Sequence, residues 1–136
     1  MTRLLSALTL ALAAACAPAL ASEIGGDWHL VGIEGSRAPA PLSITFAVDG
    51  TVSGQAPCNR YFGIYRGELP EITLSALGAT KMACDKLAEE AAYLQALQAM
   101  TRAEAAGEHL FLTGPEGRVL EFARDPGDNL CFTCGD

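Results

Sequence analysis

An 18-residue segment without glycine or proline, residues 85–102, places the strongest constraint on how this chain folds. The segment is rich in Ala, Leu, Glu and Gln, which favour the helical conformation. At about 100° per residue, its large apolar side chains fall on one side of a helix. We therefore predict one amphipathic helix that must cover another apolar surface. The side chains of this stripe are Leu87, Tyr93, Leu94, Leu97 and Met100.

Short segments of alternating apolar and polar residues, separated by turn residues, surround the predicted helix. Such alternation is typical of half-buried strands. Asp49-Gly50 and residues 114–117 indicate hairpin turns. Because the helix must bury its stripe against these strands, we predict an α+β domain, a curved antiparallel sheet or partial barrel with one main helix packed on it. The predicted strands are 27–33, 43–48, 51–55, 61–65, 71–74, 109–112 and 118–122.

The first 21 residues have the pattern of an export signal. Arg3 is their only charged residue, and the apolar stretch 4–15 is shorter than the roughly 20 residues that span a membrane. Ala19-Leu20-Ala21 is a small-x-small site, which predicts a signal peptide, 1–21, cleaved before Ser22. The sequence therefore predicts an exported protein without a membrane span.

Cys16 offers a second way of processing the same segment. The three alanines before it allow a lipoprotein signal that ends at residue 15, with a lipid attached to Cys16. The lipid would then anchor the domain to a membrane surface. We expect either free secretion into the periplasm or anchoring to the outer membrane.

The charge of the remaining chain limits its partners. Without Arg3, it has 16 acidic and 8 basic side chains, since the whole chain has 16 and 9. Neutralising phosphates requires clustered Lys and Arg. We therefore expect no nucleic acid as a partner.

An even number of cysteines follows the signal segment, as expected of disulfides in an oxidising compartment. Three pairings are compatible with the sequence. Zinc is disfavoured because there is a single C-x-x-C and neither His29 nor His109 lies at ligand spacing from a cysteine. A redox role for residues 131–134 is disfavoured because no helix begins there to lower a thiol pKa. The four candidate disulfide cysteines are Cys58, Cys84, Cys131 and Cys134.

Glu90 lies inside the apolar stripe of the predicted helix. A buried charge needs a partner. We expect Glu90 to accept hydrogen bonds from another segment, with Arg60 as the candidate because a guanidinium binds a carboxylate with two hydrogen bonds. The alternative is that Glu90 lies at the edge of the stripe and reaches water.

Five blocks follow one another along the sequence: Trp28-x-Leu30, Ile44-x-Phe46, Cys58-Asn59-Arg60-Tyr61, Thr80-Lys81-Met82-Ala83-Cys84 and Glu90-x-x-Tyr93-Leu94. In this order they resemble the META domain family of HslJ-like proteins. The resemblance covers about residues 26–123 and predicts a META/HslJ-like domain, 22–123, followed by a C-terminal tail, 124–136, with a C-x-x-C motif. Pro57 departs from the pattern, because the family often has glycine before the motif cysteine.

The resemblance implies a small α+β domain that is exported and often lipidated. The family is associated with heat response and antibiotic tolerance, without an established molecular activity. It further implies a structural role for Asn59 in a turn and a disulfide from Cys58 to Cys84 that fixes this turn to the start of the helix. The positions that the family marks are Cys58, Asn59, Arg60, Thr80, Cys84 and Glu90.

No set of residues in the sequence indicates catalysis. There is no G-x-S-x-G, phosphate loop or dinucleotide fingerprint. Glu89 and Glu90 are adjacent on a helix and point about 100° apart, so they do not form an acid/base pair. We predict a cell-envelope binding or stress-protection module that is not an enzyme, without cofactor or metal, whose partner is an envelope protein. The alternative is a small secreted enzyme or an inhibitor of an envelope hydrolase.

Overall fold

The computed structural model describes residues 23–135, so the predicted signal segment and Cys16 lie outside the described residues. Nine strands and one α-helix follow one another within this range. They are β1 (Gly26–Ile33), β2 (Ser36–Arg37), β3 (Ser43–Phe46), β4 (Thr51–Gln55), β5 (Arg60–Arg66), β6 (Thr73–Ala79), α1 (Leu87–Ala99), β7 (Arg102–Ala106), β8 (His109–Thr113) and β9 (Val119–Ala123).

All nine strands belong to one antiparallel sheet with the order β6-β5-β4-β3-β1-β9-β8-β7, and β2 pairs with β1 beside this path. The sheet is not closed, yet its two edges approach each other at one end. There the Ile72 N–H donates to the Thr101 carbonyl at 3.0 Å, and the Ala103 N–H donates to the Pro70 carbonyl at 2.8 Å. The predicted curved sheet with one packed helix is confirmed.

The core lies between α1 and the sheet. Tyr93 and Leu97 of the helix are buried, and the ring of Tyr93 meets that of Tyr61 edge to face with 5.9 Å between centroids. Trp28 is fully buried, and its indole N–H donates to the Ile24 carbonyl at 2.8 Å. Burying apolar area of this kind is the dominant stabilising contribution in a domain of this size. Within residues 23–135, no helix has the length and apolar character that crossing a membrane requires.

Both predicted hairpins are present in the sheet. Asp49-Gly50 joins β3 to β4, where Gly50 has φ +88° and the Asp49 carboxylate accepts the Thr51 N–H at 2.9 Å. The turn at 114–117 joins β8 to β9 in continuous register. Local turn chemistry was therefore sufficient to locate these connections.

The predicted helix end at Arg102 is wrong, because α1 ends at Ala99 and Arg102 begins β7. Met100 is already extended, with ψ 134°, and the Thr101 N–H donates to the Thr113 carbonyl at 2.8 Å. These sheet hydrogen bonds outweigh the helical preference of the alanine-rich sequence. Leu87 was expected in the buried stripe, but it is 48% exposed.

Candidate functional site

The buried carboxylate of Glu90, in the first turns of α1, organises the family motif. Its Oε2 accepts the backbone N–H groups of Cys58 at 2.8 Å and Asn59 at 2.7 Å. Its Oε1 accepts the side-chain amide of Asn59 at 2.8 Å. The expected hydrogen bonds from another segment are therefore present, and the alternative of a water-exposed Glu90 is wrong, because the residue is only 5% exposed.

Arg60 is not the partner of Glu90, so that prediction is wrong. Its side chain is exposed, and its backbone N–H donates to the Thr80 hydroxyl at 3.2 Å. The reason is the alternation of β5, which directs Tyr61 into the core and Arg60 to the opposite face. The preceding residue, Asn59, supplies the hydrogen bonds instead.

Asn59 is 2% exposed and connects Glu90 to the segment that follows β6. Its Oδ1 accepts the Met82 N–H at 2.7 Å and the Thr80 hydroxyl at 3.0 Å. Its Nδ2 donates to Glu90 and, at 3.4 Å, to the Met82 carbonyl. One amide side chain thus fixes the turn before β5, the loop after β6 and the helix at once.

Two cysteine pairs are at disulfide distance. The Cα atoms of Cys58 and Cys84 are 6.0 Å apart, and those of Cys131 and Cys134 are 5.5 Å apart. The first pair joins the turn before β5 to the segment that leads into α1. The motif therefore combines a covalent bond with the hydrogen bonds of Asn59 and Glu90, and these groups lie together in one cluster.

The electrostatics of the motif fit a structural network. Burial opposes ionisation of Glu90, but hydrogen bonds from the Asn59 side chain and from the N–H groups of Cys58 and Asn59 lower its pKa below 4.5. These hydrogen bonds contribute their full stabilisation at pH values above 4.5, the ordinary pKa of a glutamate. The contribution is lost as the pH falls through the lowered pKa of Glu90. Within residues 23–135, every buried side-chain nitrogen and oxygen has a hydrogen-bond partner. The buried polar groups of the motif are therefore fully hydrogen-bonded to one another and to the backbone.

A cavity of about 700 Å³ opens over this network. Asn59 and Glu90 contribute to its wall, and the remaining wall consists of residues 77–83 and Leu87. Met82 is 65% exposed there. Phe62 of β5, which is 55% exposed, pairs with Gly78 of the cavity wall. An apolar surface of this kind on a small domain is a candidate interaction site.

Three exposed cationic side chains accompany the cavity. Lys81 lines it, Lys86 precedes the helical residue Leu87, and Arg60 shares a face of β5 with Phe62, two positions further along. None of the three forms an ion pair with the residues that the structure describes. The cavity wall also contains the Glu90 carboxylate, and exposed Asp85 and Glu89 flank Lys86 and Glu90 in the sequence, so cations and carboxylates alternate around the cavity.

A second buried carboxylate, that of Glu121 in β9, was missed by the sequence analysis. It is fully buried and accepts the N–H groups of Phe132 at 2.9 Å and Thr133 at 2.8 Å. His109 Nδ1 lies 2.9 Å from its Oε1. Leu120 and Phe122 face the core, so strand alternation predicts that Glu121 between them points away from it. The C-terminal tail covers this outer face of the sheet. No local signal in the sequence reveals that cover.

Comparisons with known proteins agree with the fold. The model of the META domain family matches residues 19–127. A crystal structure of a DUF4847 family protein from Bacteroides vulgatus is 17% identical, with a TM-score of 0.61, over 79% of this chain and 97% of that chain. An NMR structure of a protein from Burkholderia xenovorans is 25% identical, with a TM-score of 0.64, over 92% of this chain and 99% of that chain. A comparison with curated proteins gave no significant match.

Replacing Glu90 by Gln tests the network. In the wild type, N–H donors face both carboxylate oxygens of Glu90. Glutamine replaces one of these oxygens by an NH₂ group, so two donors would face each other, and we expect the free energy of unfolding to fall by about 1–3 kcal/mol. Urea denaturation measures the change. Glu89→Gln on the same helix is the matched control, because Glu89 is exposed and its substitution is expected to stay within about 0.5 kcal/mol. Equal stability of the two variants would contradict the role of Glu90.

Proposed function

Because the chain belongs to the META domain family, we propose that it is an exported, non-catalytic binding module of the cell envelope that acts in stress protection. The META domain is not a known enzyme family. The satisfied hydrogen bonds of Asn59 and Glu90 support the same proposal, since they provide a rigid frame instead of reactive groups.

The main support for the binding proposal is the cavity over the motif. Its wall includes Asn59 and Glu90, which hydrogen bonds fix in place, while Met82 and Leu87 present exposed apolar groups. A site that is formed before binding loses little conformational entropy when a partner arrives. This combination suits recognition of another molecule without chemical change.

We propose as the partner a segment of an envelope protein that carries both apolar and acidic side chains. Apolar side chains of such a segment would contact Met82 and Leu87. Its carboxylates would lie near Arg60, Lys81 and Lys86, which form no ion pair with any residue from 23 to 135. Opposite charge guides association and selects the partner.

Export is the second part of the proposal. Cys58–Cys84 and Cys131–Cys134 support it, because disulfides persist in oxidising compartments. We propose cleavage before Ser22, which gives a free periplasmic protein. Lipidation of Cys16, with anchoring to the outer membrane, is the alternative processing route.

The intact mass of the native protein tests the export proposal. We expect the mass of residues 22–136 less four hydrogens, which corresponds to cleavage before Ser22 and two disulfides. An acylated Cys16 would assign the anchored form instead. A full-length chain with reduced cysteines would contradict export.

Binding is tested by capture from an envelope extract with matched surface variants. We expect the wild-type domain to retain a specific protein and Met82→Glu to lower its affinity at least about tenfold, because the new charge occupies the apolar centre of the site and repels an acidic segment. Val48→Glu is the control, because Val48 is 92% exposed and does not line the cavity, so this variant should bind as wild type does.

Two results would contradict the binding proposal. One is equal capture by wild type, Met82→Glu and Val48→Glu, which would place the interaction elsewhere on the surface. The other is substrate turnover by the purified domain that a single substitution abolishes.

A further inference from the structure

The last residues of β6 form a free edge of the sheet. Within residues 23–135, β5 is the only strand neighbour of β6, so one row of backbone groups of β6 faces away from the sheet. The Thr80 N–H donates to the Arg60 carbonyl at 3.0 Å. Because backbone groups alternate in direction along a strand, those of Leu77 and Ala79 point away from β5. The N–H and C=O groups of these two residues are therefore open to an added strand.

A β-bulge limits this free edge to the end of β6. Gly63 of β5 lies opposite both Ala76 and Leu77, because the register shifts between Phe62 and Ile64. Ala76 has φ +53°, so the strand leaves regular geometry at this residue. The regular edge is thus short, which suits one short segment and disfavours the extended pairing that leads long free edges to aggregate.

Helix α1 lies beside the free edge, across the motif cavity. It packs against β6, and the cavity of about 700 Å³ has residues 77–79 in its wall together with Leu87 and Glu90 of α1. The edge therefore borders a cleft between a strand and a helix. When an extended segment adds to a strand edge, main-chain hydrogen bonds provide affinity and pockets for alternate side chains provide specificity.

Apolar side chains flank the edge on both faces of the sheet. On one face the ring of Phe62 lies over Gly78, where a Cβ atom would be 3.2 Å from Phe62 Cε2. On the other face the side chain of Leu77 lies over Gly63, where a Cβ atom would be 2.5 Å from Leu77 Cδ2. Successive side chains of an added strand point to opposite faces, so they would meet Phe62 and Leu77 in turn.

The opposite edge strand, β7, is less suited to an added strand. Its exposed Arg102 and Glu104 form an ion pair at 2.9 Å, and charged side chains on an edge discourage pairing. The Ala103 N–H is already bound to the Pro70 carbonyl. Strand β6, in contrast, contains no charged residue.

We propose that the partner segment binds in an extended conformation, as an additional strand on β6 along residues 77–79. The inference rests on the binding proposal for the motif cavity and adds the conformation of the partner and the groups that recognise it. Leu77 and Ala79 exchange backbone hydrogen bonds with the segment. Its apolar side chains contact Phe62 and Leu77, and its acidic side chains lie near Arg60 and Lys81.

Ala79→Pro tests the backbone contact. Proline removes the N–H that points away from β5 and places a ring towards the added strand, whereas pairing with β5 does not use this N–H. We expect the affinity for the envelope protein that the wild-type domain retains to fall at least about tenfold. Ala79→Ser is the matched control, because it keeps the N–H and should bind within about twofold of the wild type. Urea denaturation of both variants shows whether the fold persists.

Synthetic peptides test the same contact on the wild-type domain, whatever the stability of Ala79→Pro. Short peptides that tile the sequence of the retained protein identify the segment that binds. Two versions of this peptide carry N-methyl groups on alternate residues, so each keeps the N–H groups of only one edge. We expect one version to bind as the unmodified peptide does and the other to lose at least about tenfold in affinity, as measured by isothermal titration.

Three results would overturn strand addition. They are equal affinity of Ala79→Pro and Ala79→Ser, equal effects of the two N-methylated versions, and the absence of any short peptide that binds. If Met82→Glu still lowers the affinity in these cases, the binding proposal for the cavity stands and only the extended mode of binding fails. Unchanged affinity in both Met82→Glu and Ala79→Pro would contradict both proposals.

Discussion

The ionised carboxylate of Glu90 holds together three segments that are distant in the sequence. It is buried on α1, and a buried charge destabilises a fold unless hydrogen bonds compensate for the lost water. The backbone N–H groups of Cys58 and Asn59 and the amide of Asn59 provide this compensation. Because the same amide fixes the loop after β6, one side of the motif cavity has a defined shape. Recognition at that cavity depends on this interaction.

The fold uses the same arrangement twice. Glu90 secures the turn of the Cys58–Cys84 disulfide, and Glu121 secures the tail of the Cys131–Cys134 disulfide, in both cases through backbone N–H groups. The two sites differ in what the carboxylate touches. Glu90 accepts hydrogen bonds from nitrogens, whereas Glu121 also accepts one from the Thr133 hydroxyl and lies 3.4 Å from Cys131 Sγ. In both sites a carboxylate with a lowered pKa holds a segment that carries a disulfide.

Local patterns predicted the helix, both hairpins and the α+β architecture, because periodicity and turn chemistry act over few residues. Strand β7 was missed, since its alanine-rich sequence favours a helix and becomes a strand by pairing with β8, with one further hydrogen bond from the Ala103 N–H to the Pro70 carbonyl. The partner of Glu90 was predicted wrongly because Asn59 and Arg60 are neighbours at the start of β5. Which of the two faces the helix depends on where the strand alternation begins, and the sequence does not show this. Glu121 was missed because the tail that buries it is remote in sequence.

The double-mutant cycle of Asn59→Ala and Glu90→Gln tests the central claim most directly. Both side chains form one network, so the two losses in unfolding free energy should be non-additive, with a coupling of about 0.5–3 kcal/mol. The circular dichroism of each variant would show whether the fold persists, and urea denaturation would give the four free energies. Losses that add to within about 0.3 kcal/mol would show that the two side chains act independently and would contradict the account.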